Sequence, residues 1–170
     1  MSKRLLVTDD AMIIREMIKE TAIAAGWEIV GEADNGLAAV EAYRELRPDA
    51  MTLDIVMPEY DGIYALENIR NEFPTARILM VSAIDQTNVL KDALRKGATD
   101  FIIKPSSRCA VQSGIMPAVQ AFLLRCEKEQ GLPCPIDKPC GCIECRDVRR
   151  VVEQWDEVRG SKESGSLAGA

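Results

Sequence analysis

At 170 residues, with a net charge of −6 and 47% apolar side chains, the chain has the size and hydrophobic content of one ordinary domain plus a small appendage. The acidic balance argues against a nucleic-acid surface, and no apolar run approaches the ~18 residues of a membrane span. Met1-Ser2-Lys3-Arg4 is basic, but Asp9 and Asp10 interrupt the next apolar stretch too early for a signal peptide, so a cytoplasmic protein with reduced or metal-bound cysteines is expected.

The run Leu5-Leu6-Val7-Thr8 reads as a first strand, ended by Asp9 and Asp10. Ile14, Ile18 and Ala22 then recur at helical spacing, with Arg15, Glu16, Lys19 and Glu20 mostly on the other side, and Gly26 stops that helix. Glu28 to Ala33 is a second strand, and Asn35-Gly36 a turn. Leu37, Val40, Ala42 and Tyr43 mark a second helix that closes near Pro48. Ala50-Met51-Thr52-Leu53 is a third strand ending in Asp54, followed by a loop with Met57-Pro58 and Asp61-Gly62. Ile63, Leu66 and Ile69 mark a third helix, and Arg77 to Ser82 a fourth strand. Val89, Leu90, Ala93 and Leu94 give a fourth helix, stopped by Gly97, and Phe101-Ile102-Ile103-Lys104 a fifth strand. Strands alternating with helices imply βαβ units around a parallel sheet, and near-continuous apolar strands fit a sheet covered on both faces.

Regularity fades after Lys104-Pro105. Ser106 to Gly114 carries no clear period, and Gly114 and Pro117 are expected to interrupt a regular fifth helix. Pro117 is expected to begin a displaced helix over residues 118–130, with Gly131 as its stop. Residues 132–145 read as a Pro- and Cys-rich loop. Val148, Val151, Val152, Trp155 and Val158 form one helical stripe, and residues 161–170 a disordered tail.

In an open α/β sheet, ligands sit beyond the carboxyl ends of the strands. The strand-like runs therefore bring Asp9, Asp10, Asp54, Ser82 and Lys104 toward one crevice. Three neighbouring carboxylates ionise together cheaply only when a cation joins them, and oxygen ligands with room for water suit Mg²⁺. The pattern points to metal-assisted phosphoryl chemistry.

Four ordered motifs carry a resemblance: Val7-Thr8-Asp9-Asp10, Leu53-Asp54-Ile55-Val56-Met57-Pro58-Glu59-Tyr60-Asp61-Gly62, Val81-Ser82-Ala83 and Lys104-Pro105. Over roughly residues 3 to 105 the chain resembles the receiver domain of two-component response regulators, and most of all single-domain chemotaxis receivers. The resemblance implies a doubly wound five-stranded parallel sheet of order 2-1-3-4-5, in a receiver domain over residues 1–125. Residues 126–159 then form a Cys-rich loop plus amphipathic helix, and 160–170 a tail. It also implies that Asp54 accepts a phosphoryl group from a histidine kinase and that the protein is a self-phosphorylating and self-dephosphorylating switch rather than an enzyme. Asp9, Asp10, Asp54 and the backbone carbonyl of Val56 would hold Mg²⁺, with Mn²⁺ as an alternative occupant.

Within that resemblance Lys104 and Ser82 contact the phosphoryl oxygens, the Lys104-Pro105 peptide is cis, and Phe101 is the switch aromatic. The target protein would be met through the fourth helix and fifth strand. A haloacid-dehalogenase-like phosphohydrolase is the alternative, but its first motif separates two aspartates by one residue, whereas Asp9 and Asp10 are adjacent. Cys134, Cys140, Cys142 and Cys145 are a further candidate site. Four thiolates can hold Zn²⁺ tetrahedrally, and the chain has no histidine. Their spacing is irregular, so a loop of reduced thiols is the competing reading.

Overall fold

The computed structural model describes residues 3–83, 87–104 and 108–128. The chain divides between Pro133 and Cys134, and these residues all precede that division. Five strands, β1 (Lys3–Thr8), β2 (Trp27–Ala33), β3 (Ala50–Leu53), β4 (Ile78–Ser82) and β5 (Asp100–Ile103), alternate with α1 (Met12–Ala24), α2 (Gly36–Leu46), α3 (Gly62–Glu72), α4 (Thr87–Arg95) and α5 (Arg108–Lys128). Every pairing is parallel, in the order β2-β1-β3-β4-β5. The sheet grows leftward through α1 and rightward through the later helices. Right-handed crossovers then place α1 on one face and α2 on the other.

Burial follows the strand order. The last four residues of β1 and all of β3 and β4 are buried, while the edge strands β2 and β5 are largely half-exposed. On the α1 face, Leu5, Val7, Ala50, Leu79 and Val81 meet Ile18 and Ala22 of α1 and Val119, Phe122, Leu123 and Cys126 of α5. The Asn35-Gly36 pair, expected as a turn, is the start of α2: the Asn35 side chain caps the helix by accepting from Ala38 N–H at 2.9 Å. Leu37, one of the residues that mark that helix in the sequence, is 37% exposed, and Ala39, Val40 and Tyr43 are its buried side chains.

The fifth helix departs from the sequence expectation. It starts at Arg108, not after Pro117, and runs through both Gly114 and Pro117. A proline inside a helix removes one hydrogen bond and costs about 3 kcal/mol. The offset comes from tertiary contacts. Val119, Phe122, Leu123 and Cys126, spaced for one helical face, are all buried in the sheet–α1 core, whereas Pro117 itself is exposed. Thr21 Oγ1 of α1 donates to Met116 Sδ at 3.0 Å, and Lys3 Nζ donates to the Cys126 carbonyl at 2.6 Å. A cation on a carbonyl of the last turn suits the helix dipole.

One glycine fixes the loop that follows the site strand. Gly62 opens α3 against the backbone of Asp54, and a Cβ there would lie 1.9 Å from the Asp54 carbonyl oxygen. The obstacle is backbone, so no rotamer relieves it. Gly62→Ala is expected to destabilise the fold by about 3 kcal/mol or more, the upper end for overpacking. Urea unfolding beside the wild type checks this, and a loss below ~1 kcal/mol would mean the loop yields freely.

Candidate functional site

Strand alternation builds the site. In the paired register Val7 stands opposite Thr52, and Val81 opposite Ile102. Two residues further along the chain, the same face carries Asp9, Asp54 and Lys104, just beyond the ends of β1, β3 and β5. A period of two therefore turns an inward-facing row of the sheet into a charged row at the rim.

The charges meet closely. Lys104 Nζ donates to Asp54 Oδ2 at 2.7 Å and lies 2.5 Å from Asp9 Oδ2. Carboxylate oxygens of Asp9, Asp10 and Asp54 all lie within 4.8 Å of one another. Asp9 and Asp54 are buried, and Asp10 is exposed. Asp54 Oδ1 accepts from Val56 N–H at 3.3 Å, and Asp9 Oδ1 from Ala11 N–H at 3.0 Å. Burial pushes the Asp9 carboxyl above its ordinary range, and this outweighs the opposing pull of the Lys104 ammonium. Burial alone would lower Lys104, but its bonds to Asp54 and Asp9 win and hold its pKa above the ordinary value. Lys104 is thus a fixed positive charge.

A divalent cation fits this donor set. Three carboxyl groups face one ammonium, so the cluster holds more acidic groups than cationic ones, and a divalent cation offsets the excess. Asp9 Oδ2 lies 2.5 Å from the Lys104 ammonium, which it shares with Asp54 Oδ2, so one cation stands between two buried carboxylates. A second, hard cation on their remaining oxygen positions and on Asp10 would complete the neutralisation.

Ser82 ends β4, fully buried, and its carbonyl accepts Lys104 N–H at 2.6 Å. In register it stands opposite Ile103, and Phe101 opposite Met80, so both belong to the other face of the sheet from Asp54 and Lys104. Phe101 is half-buried. Val56 is 53% exposed at the rim. Pro105, on which the expected cis peptide depends, lies outside the described residues. So do Cys134, Cys140, Cys142 and Cys145, the helix expected from Val148 to Val158, and the tail. Among the described residues, no helix is long and apolar enough to cross a membrane.

One participant was not evident from spacing. Arg15, on the polar side of the first helix, donates from Nη1 to the carbonyls of Asp9 at 2.7 Å and Asp10 at 3.4 Å. A charged residue one turn into a helix ordinarily reads as solvated, so the sequence carried no signal for it.

A doubly wound parallel domain with a carboxylate triad and a buried ammonium at its strand ends defines a receiver-type, phospho-acceptor fold. The response regulator receiver domain model matches residues 5–115. The chemotaxis protein CheY of Listeria monocytogenes is 50% identical over 102 residues, 60% of this chain and 86% of that one. The response regulator domain of Thermotoga maritima CheB superposes with a TM-score of 0.69 at 33% identity, over 77% of this chain and all (100%) of that one. A CheX–CheY–BeF3–Mg²⁺ complex from Borrelia burgdorferi gives 0.60 at 35% identity, over 68% and 88% of the two chains. The chain belongs to the response regulator receiver domain family. The match takes up the core that the haloacid-dehalogenase-like alternative would need, and that alternative is set aside.

Proposed function

We propose that this protein is a chemotaxis-type phospho-acceptor switch in which Asp54 takes a phosphoryl group from a histidine kinase in a Mg²⁺-dependent reaction. The observation that carries the reading is the Asp54 carboxylate held between Lys104 and the acidic pair Asp9 and Asp10. In-line phosphoryl transfer asks a protein for alignment and charge neutralisation rather than covalent help. Asp54 Oδ2 is oriented by the Lys104 ammonium and Oδ1 by Val56 N–H, so the nucleophile is held without freedom to swing. Lys104 stays charged and is placed to follow the phosphoryl oxygens. Asp9, Asp10, Asp54 and the carbonyl of Val56 would hold Mg²⁺ (or Mn²⁺), which supplies neutralisation of the phosphoryl charge.

Ser82, on the other face in strand register, would swing its hydroxyl around the end of β4 to the phosphoryl group, and Phe101, on that same face, would move into the space it leaves, altering the α4–β5 surface that a target protein meets. CheX beside CheY in the Borrelia complex supports a protein target of this general kind. The receiver unit runs through α5 to Lys128 in this reading, past the boundary expected at 125, because Cys126 is part of the core. Phosphotransfer from an autophosphorylated chemotaxis kinase tests the proposal. The label is expected on this chain and to be released by hydroxylamine, as an acyl phosphate is. A hydroxylamine-stable label would reject a carboxylate acceptor.

The lifetime of that phosphate is expected to be long. Hydrolysis needs a water aligned with phosphorus, and the residue two beyond Asp54 is Val56, which is exposed at the rim and cannot hold one. Ile84, two beyond Ser82, lies outside the described residues. Val56→Asn is expected to speed label decay about fivefold, roughly 1 kcal/mol off the barrier. Unchanged or slower decay would remove Val56 from the explanation.

A further inference from the structure

The turn that carries Asp9 and Asp10 has few backbone restraints of its own, although the Asp9 carboxylate also lies 2.5 Å from Lys104 Nζ. It leads directly into α1, whose N-cap residue Ala11 makes no side-chain cap bond and whose first turn has no acidic residue. The turn's own bond runs from Ala11 N–H to Asp9 Oδ1, and Asp9 N–H reaches back to the Ala33 carbonyl at 3.1 Å. Its two carbonyls are gripped from further along the helix. Arg15 Nη1 donates to Asp9 O at 2.7 Å and, less closely, to Asp10 O at 3.4 Å.

The guanidinium is itself held. Arg15 Nε donates to Glu32 Oε2 of β2 at 3.0 Å, and Lys19 Nζ donates to Glu32 Oε1 at 2.7 Å. The Arg15 side chain is 16% exposed and that of Glu32 37%, so the guanidinium is the sheltered partner of the pair. A planar guanidinium with donors on separate nitrogens can bridge a β2 carboxylate and a β1–α1 backbone turn in one geometry, which the single nitrogen of an ammonium matches less well.

We propose that Arg15, clamped by Glu32, is the positioning residue of the acidic turn: it fixes the Asp9 and Asp10 backbone so that both carboxylates are presented toward Asp54. The inference rests on the reading that these three carboxylates hold Mg²⁺. Mg²⁺ demands near-ideal octahedral geometry, so a turn ordered beforehand binds it better than one that must be ordered on binding.

Two physical effects of Arg15 on the metal have opposite signs, which makes the proposal testable. Coulomb repulsion alone says that removing a cation beside the site strengthens Mg²⁺ binding, and that neutralising Glu32 weakens it. Positioning says that both changes weaken it. Isothermal titration of Mg²⁺ into the full chain, with metal-free thermal unfolding alongside, separates them. The wild type is expected to bind. Arg15→Ala is expected to bind about tenfold more weakly, the lower end of effects from groups that orient metal ligands, with its metal-free midpoint nearly kept. Glu32→Gln is expected to lose a part of that, and the double variant to be no weaker than Arg15→Ala, since both act through one guanidinium. Arg15→Lys is expected to fall between wild type and Arg15→Ala.

Equal or tighter Mg²⁺ binding by Arg15→Ala overturns the proposal, because repulsion would then be its main effect. Should Arg15→Ala not fold, wild-type affinity in both Glu32→Gln and Arg15→Lys overturns it equally, since the bridged guanidinium would then be dispensable. A wild type that binds no Mg²⁺ removes the underlying metal reading and the inference with it, an outcome distinct from the other two.

Discussion

Asp54→Asn is expected to abolish phosphoryl incorporation from acetyl phosphate, whereas the wild type takes up one group in the presence of Mg²⁺. The amide oxygen is a poor nucleophile, and no neighbouring carboxylate stands in its place. Asp10 is exposed, and Asp9 Oδ1 is engaged by the Ala11 amide while Oδ2 lies against Lys104. The substitution changes little in volume and leaves Lys104 its partner Asp9, so the folded state is expected to persist. Thermal unfolding of the variant verifies that loss of label is not loss of fold. Chelation of the wild type is expected to have the same effect as the substitution. Without a cation the acidic cluster repels an incoming phosphate, and one ammonium cannot offset three carboxylates. Intact mass spectrometry reads both arms. Full labelling of Asp54→Asn would place the acceptor elsewhere, and labelling indifferent to chelator would overturn the metal requirement.

Phe122→Ala is expected to be the most damaging single change in the C-terminal part of the receiver unit, at about 3–5 kcal/mol. Phe122 is 1% exposed and sits among Leu5, Val7, Ile18 and Val81, where its ring joins α5 to the sheet and to α1. Against a total stability of about 5–15 kcal/mol, such a loss leaves the domain marginal. Leu124 on the same helix is 43% exposed and serves as the control; Leu124→Ala is expected within about 0.5 kcal/mol of wild type. Chemical denaturation of the two variants compares the faces directly. If both cost the same, α5 is not docked by the stripe Val119, Phe122, Leu123 and Cys126, and the helix across Pro117 would lack its offsetting contacts.

Much of the site was legible because its signals are local and periodic. Apolar runs ending in Asp9, Asp54 and Lys104 specify strands whose last residues must emerge at one edge of a parallel sheet, and the alternation of side chains does the rest. The stops at Gly26 and Gly97 are equally local: both adopt positive φ, at 83° and 99°, where a side chain would be strained. The strand order came from the resemblance, not from the apolar pattern, since a pattern does not say which strand lies beside which.

What the chain alone determined is therefore the inventory: five strands, the first four helices, and the acids and lysine at the strand ends. Tertiary structure decided the rest. Gly114 and Pro117 argue locally for a break, yet the helix continues, because four side chains beyond the proline bury against residues of β1, β3, β4 and α1. Leu37 helps mark α2 in the sequence yet is 37% exposed, since the pattern of α2 does not state how wide a face its neighbours cover. Arg15 looks like any charge on a polar helix face. It donates to the Asp9 and Asp10 carbonyls while β2 brings Glu32 alongside its Nε, a placement that no local pattern states. Local sequence fixes periodicity and charge, while the cost of a proline or the purpose of an arginine depends on what the fold sets beside it.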